Sequence, residues 1–456
     1  MQVLRQVPLF ALLLAPGTQA GAHPFAARDV VGGEDISTGW TCRVQGGPPG
    51  PCEVAIPAGR RRVRVSIERV VAGAPGQGLS LGHFATATRV AIDGRSAGRF
   101  GPGLVVLETP ALAPGGSVVA IETWVSSYRR RPAWDGSARI GPIGQRTTGL
   151  LEASVHPGTR RPYLVQVPDH LDEHRPSPLV VALHPWGVGP WAYVGSVLLR
   201  RAAASGIVVL MPDGLGNSLW VGDAEREALA AIDALASQIS IDPDRVYLFG
   251  ASMGGAGATT IGYRHPDRFA AVASFFGDSL YSVGGYTSAV LPTEESVRAA
   301  SCLLFVENAR HLPTLLVHGR LDATSSPLQS TRLGDRLGAL GFAHDLVMRD
   351  DRGHEARLVD EETERMLAFF ALHRRVTRPS RVSLRSSDAS TRSAYWLRLE
   401  PSREGWVWAD VEIDASGSAV RVLGSENVRR ILIDGSRAPL GSVGPTTVPP
   451  SVTILP

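Results

Sequence analysis

The stretch Arg245 to Gly255, RVYLFGASMGG, constrains the fold of this chain more than any other. An apolar run, Val246 to Phe249, stops at Gly250. A lone serine follows, and Gly254 and Gly255 then lead into small helix-forming residues. The order reads as strand, sharp turn, helix. A G-x-S-x-G turn holds its serine in a strained backbone conformation, tolerated because the flanking glycines present no Cβ, and lifts the hydroxyl toward the positive end of the next helix. A serine hydroxyl is a poor nucleophile unless a histidine and a carboxylate reach it, so Ser252 acquires chemical meaning only with partners from elsewhere in the chain. A chain with 50 glycines produces such spacings by chance. The alternating strand and helix patterns on both sides of Ser252 favour the functional reading.

From about Leu150 that alternation is regular. Tyr163 to Val167, Leu179 to Leu183, Ile207 to Met211, Phe269 to Phe275 and Leu312 to Val317 read as strands, most of them apolar throughout, as expected for strands covered on both faces. Trp191 to Ala204, Ala224 to Ile239, Pro327 to Leu340 and Asp360 to His373 read as helices. Repeated β-α units predict a doubly wound, mostly parallel sheet with its site at the carboxyl ends of the strands. Leu280 to Arg310 breaks the rhythm and is expected to form a cap over that edge.

The flanks differ. Residues 23–130 alternate with period two and predict a β-sandwich-like domain; 131–149, rich in Arg, Gly and Pro, predict a linker; 150–375 form the α/β domain; 376–456 return to short alternating strands and predict a small β module. Trp396, Trp406 and Trp408 in that last module suit a core better than a sugar-stacking surface. Residues 1–22 combine Arg5, an apolar segment and the small-residue site Thr18-Gln19-Ala20, the layout of a cleaved secretory signal, and no later run is long and apolar enough for a membrane helix. Export would let Cys42 and Cys52 pair across a short Gly/Pro-rich loop, a link contributing about 2 to 3 kcal/mol. Cys302, beside Leu303 and Leu304, reads as a buried small hydrophobe. The cations are all arginine, scattered among acids, and the net charge is only +3, which argues against nucleic acid as a partner. Metal-ligand spacing and phosphate-cradling loops are not apparent in the sequence, so no cofactor is expected.

Two motifs follow Ser252. PTLLVHGRLD places Asp322 in the loop after a buried strand, and HDLVMRDDRGHE places His354 in the loop after the next. In a parallel sheet these loops open on the same edge as Ser252. Asp350 and Asp351 lie nearer His354 in sequence, but on its own loop, where they point less readily at its far nitrogen. His184 and His318 read as structural, and His265 and His311 as ordinary loop residues. Trp220 suits a pocket wall and the core equally.

With IDPDRVYLFGASMGGAG, ENARHLPTLLVHGRLD and RDDRGHE in place, the chain resembles the α/β-hydrolase superfamily, and more narrowly the exported bacterial esterases and the prolyl-oligopeptidase-like (peptidase S9) hydrolases, over roughly 149–373. The resemblance implies Ser252 as nucleophile, His354 as general base and then acid, and Asp322 as the carboxylate that orients the imidazole. It also implies an oxyanion hole made by the N–H of Met253 and a second N–H from the loop after Leu183. There the chain reads His184-Pro185-Trp186-Gly187 where the family usually has His-Gly-x-Gly. Proline has no N–H, so the second donor falls to Trp186. A serine esterase is the expected function. A peptidase of the S9 type is the alternative, although the region before Gly149 is too short for a propeller. A third reading is a polysaccharide-binding protein with an inactive hydrolase domain. The expected substrate is an ester or a peptide, free or polymeric.

Overall fold

The computed structural model describes residues 27–456 apart from 32, 45–46, 51–61, 75, 85, 102, 109, 127–133, 147, 154–162, 170, 172–174, 442–443 and 446. The expected signal segment and Cys52 lie outside the described residues; Cys42 is buried in the N-terminal domain.

The central element is an eight-stranded sheet: β1 (Gly149–Ala153), β2 (Tyr163–Val167), β3 (Ser177–Leu183), β4 (Val208–Met211), β5 (Ile241–Ala251), β6 (Ala271–Phe275), β7 (Thr314–Gly319) and β8 (His344–Arg349). The spatial order is 1-2-4-3-5-6-7-8, with β2 antiparallel to both neighbours and β3 to β8 parallel. That is the arrangement of the α/β-hydrolase fold. Leu179 to Leu183 are fully buried because helices cover both faces of the sheet. On one face α1 (Val197–Ala204) and α5 (Arg357–Ala371) pack Leu198, Leu358 and Phe370 onto Val180 and Phe249. On the other, α2 (Asp223–Ala236), α3 (Met253–Arg264) and α4 (Leu328–Ala339) pack Leu235, Ile261 and Leu333 onto Leu179, Val181 and Leu248. Each such residue contributes roughly 1.5 to 3 kcal/mol by leaving water.

Three local expectations change. Trp191 to Ala204 is not one helix: Pro190–Tyr193 form a 3-10 turn and α1 begins only at Val197. The break falls at Gly195, whose φ of +72° and whose approach to the Trp134 carbonyl, 2.6 Å from where a Cβ would sit, suit glycine alone. The segment expected as a linker contributes strands to the N-terminal domain, Arg139–Gly141 against Gly78–Phe84 and Ile143–Arg146 against Ala27–Val30. The expected cap is mostly core. Tyr281, Val297, Cys302 and Phe305 pack with the α3 side of the sheet, and Thr260 donates to the Ala300 carbonyl at 3.0 Å. Near its start, Tyr286 meets the ring of Trp186 and donates to Asp278.

The flanking regions are β structures with their own cores. The N-terminal one sets a five-stranded against a four-stranded sheet around Val65, Leu81 and Ile121. The C-terminal one sets three strands against four, with Trp396 buried and donating to the Pro379 carbonyl at 2.6 Å. Trp406 packs beside Phe305, and Trp408 is half-buried under Arg385. Asn308 ties this module down: its amide donates to the carbonyls of Tyr263 and Arg385 at 2.9 and 3.0 Å, and its carbonyl accepts from the Arg385 N–H at 2.6 Å.

Candidate active site

Ser252 sits where β5 turns into α3, with φ +56° and ψ −121°. Its amide is held by the Phe275 carbonyl at 2.9 Å, and its own carbonyl accepts from Ala256 at 3.0 Å. The neighbouring glycines are forced by space. A Cβ at Gly250 would stand 2.1 Å from the Gly254 carbonyl oxygen, and one at Gly254 would stand 1.9 Å from that of Leu183. The second contact also seats the loop after β3 against the start of α3.

The loops after β7 and β8 bring Asp322 and His354 to this point. His354 Nε2 lies 2.8 Å from Ser252 Oγ, and His354 Nδ1 lies 2.7 Å from Asp322 Oδ2. An ionised carboxylate only accepts, so Nδ1 donates to it. Nε2 is thereby left with its lone pair toward the serine hydroxyl. Phe276 packs against the imidazole at 4.7 Å between ring centroids, closing one side of it. Asp350 and Asp351 are turned away, paired with Arg320 and Arg352 and largely in solvent.

Asp322 is buried, and its oxygens are divided between two tasks. Oδ1 accepts the N–H groups of Thr324 and Ser325 at 2.8 and 2.9 Å; Oδ2 faces His354 and lies 3.3 Å from His318 Nε2. Burial pushes its carboxyl up. Hydrogen bonds from His318 and His354, the charge of His354 and the Ser325 N–H outweigh that and hold it well below the usual carboxylate range.

The N–H groups of Met253 and Trp186 have no protein acceptor among the described residues. Gly187, next to Trp186, is pinned by the Asn217 side chain at 2.7 Å. Trp220 is a core residue and not a pocket wall: it is fully buried, fills the space beside Gly214 and Gly257, and donates to the His184 carbonyl at 3.2 Å. His184 is buried and bonded to the Asp213 carbonyl at 2.7 Å, a structural role for the loop.

Four residues near the site were not singled out for it from sequence. His318 lies under the acid loop, bonded to Ser330 Oγ at 2.7 Å and to the Ser325 carbonyl at 3.0 Å. Asp278, just past β6, accepts from Ser325 Oγ at 2.6 Å and, on its other oxygen, from the Tyr286 hydroxyl. Tyr286, through that hydroxyl, and Phe276, against the imidazole, are the other two. Only the position of Phe276 and Asp278 after a buried strand signalled them; the remaining contacts join distant loops. Among the described residues no cluster of His, Cys, Asp or Glu could hold a metal ion.

Residues 204–375 match the prolyl oligopeptidase family. The chain is 30% identical over 186 residues to the candidate esterase NocK of Nocardia uniformis subsp. tsuyamanensis, a match covering 38% of this chain and 51% of that protein, so the chain spans about half the length of this curated relative. Among solved structures it is similar to the fluorophosphonate-binding serine hydrolase F of Staphylococcus aureus (15% identity, 48% of this chain and 96% of the other, TM-score 0.43). It is also similar to an S-formylglutathione hydrolase from Agrobacterium tumefaciens (20% identity, 50% and 96%, TM-score 0.43). The strand order is that of the α/β-hydrolase fold, and residues 204–375 carry the similarity to the prolyl oligopeptidase family.

Proposed function

We propose that this chain is a serine esterase that works through an acyl-enzyme on Ser252. The observation that carries the reading is the unbroken hydrogen-bonded chain from Ser252 Oγ through His354 to Asp322. In the first half-reaction His354 Nε2 takes the hydroxyl proton as Oγ attacks the ester carbonyl. The imidazolium formed is stabilised by the ionised Asp322, and the same proton passes to the departing alcohol. Water, deprotonated by His354, then releases the acid and restores Ser252. The tetrahedral oxyanion is held by the N–H groups of Met253 and Trp186. Pro185 subtracts nothing from that pair, because the donor is the residue after it.

The match to the prolyl oligopeptidase family favours a second reading, a peptidase. The small β domain before Gly149, a five-stranded, a four-stranded and a two-stranded sheet among the described residues, has no propeller blades, and so the esterase ranks first. The secretory layout of residues 1–22 supports an exported enzyme, and with it pairing of Cys42 with Cys52. A comparison of kcat/KM on p-nitrophenyl acyl esters and on prolyl-p-nitroanilide peptides separates the two activities. Higher values on the esters, lost in Ser252→Ala, are expected; higher values on the peptides overturn the ranking.

A further inference from the structure

The exposed apolar side chains of the α/β domain are not scattered. Among the described residues of 149–373, six large ones stand open to solvent, and five of them, Leu215, Val283, Tyr286, Leu321 and Leu328, lie in the segments that follow β4, β6 and β7 at the carboxyl edge of the sheet, Leu328 as the first residue of its helix. Single exposed hydrophobes are ordinary; five gathered around one site form a patch that calls for a ligand. Within it is an ordered pair. The ring of Tyr286, 53% exposed, meets the indole of Trp186 at 5.6 Å and 85°. Trp186 is only partly buried, and its own backbone N–H is the second oxyanion donor of the reading above.

Tyr286 is not free to swing. Its hydroxyl donates to Asp278, whose other oxygen accepts from Ser325 Oγ at 2.6 Å, and the Ser325 N–H is bound to Asp322. The phenol is a neutral donor to that carboxylate. The pair is thus an aromatic corner fixed to the acid loop on one side and to the oxyanion loop on the other. A ligand ring entering it adds edge and face contacts to simple burial, at little cost in ordering protein side chains.

We propose that Trp186 and Tyr286 form a subsite for an aromatic ring of the ester substrate, so that aryl-bearing carboxylic esters are preferred over aliphatic ones. The proposal rests on the esterase reading but is tested apart from turnover. Ser252→Ala protein is titrated calorimetrically with methyl phenylacetate and with methyl octanoate, esters of equal carbon number of which the aliphatic one is the more hydrophobic. The aryl ester is expected to bind more tightly, by roughly three- to tenfold. Tyr286→Ala in the same background should erase that margin, and Tyr286→Phe, which keeps the ring and loses only the tether, should retain most of it. Equal binding of the two esters, no binding of the aryl ester, or a margin unchanged by Tyr286→Ala overturns the proposal. Failure of the esterase reading shows separately, as absence of hydrolysis by the wild type.

Discussion

Replacing Asp322 by asparagine changes one atom, and the surrounding loop dictates which way the new amide must face. Oδ1 accepts two backbone N–H groups, from Thr324 and Ser325, at 2.8 and 2.9 Å. An NH2 placed there would oppose two donors, so the asparagine oxygen must keep that position and its nitrogen must turn toward His354. Nδ1 of the imidazole then meets a donor where it had an acceptor. His354 answers by shifting its proton to Nε2, which now donates toward Ser252 and has no lone pair for the hydroxyl proton. Binding and oxyanion contacts are untouched, and the loss falls on kcat. In the trypsin-type enzymes the same replacement costs about 10⁴-fold, or about 5 kcal/mol of transition-state stabilisation, and that size is expected here. The assay is kcat on a short-chain p-nitrophenyl ester near neutral pH, with a thermal melt to verify folding. A folded Asp322→Asn protein within about tenfold of wild type refutes the tautomer argument.

Further perturbations separate position from chemistry. Because folding depresses the Asp322 pKa, its stabilising contribution is present above the ordinary carboxylate value, about 4, and is lost as pH falls toward the depressed one. In urea unfolding the stability gap between wild type and Asp322→Asn should therefore narrow below about pH 4; a gap that widens on acidification contradicts the sign. Gly254→Ala drives a Cβ into the Leu183 carbonyl and should cost about 3 kcal/mol and at least about a hundredfold in kcat through the displaced oxyanion loop; unchanged kinetics would mean the loop is not positioned by this contact. Cys302 is fully buried, and burial pushes its thiol up to about 12. It should resist iodoacetamide in the native protein and label only after unfolding, as read by peptide mass mapping.

What the sequence made legible, and what it hid, follows from how far each feature reaches. The Ser252 turn was readable because its steric demands fall on Gly250 and Gly254, within two residues of the serine. Asp322 and His354 were readable because buried strands announce the loops that end them. Gly195 broke an expected helix because a carbonyl 61 residues away in sequence, at Trp134, comes close to it, and local periodicity cannot register that. Trp220 was ambiguous for the same reason: its burial depends on room left by Gly214 and Gly257. The first strand of the sheet, Gly149–Ala153, is not among the strands read from the sequence: it opens the α/β domain directly after the Arg- and Gly-rich stretch, with too few residues to show a pattern of its own. The link from Tyr286 through Asp278 to Ser325 joins three loops and exists only once the strands are ordered.

The most direct test of the account is covalent labelling of the folded wild type by a fluorophosphonate, followed by mass mapping of the modified peptide. One equivalent on Ser252, absent in Ser252→Ala and strongly slowed in His354→Ala, is the predicted result. No label, or a label on another residue with Ser252 untouched, would contradict it.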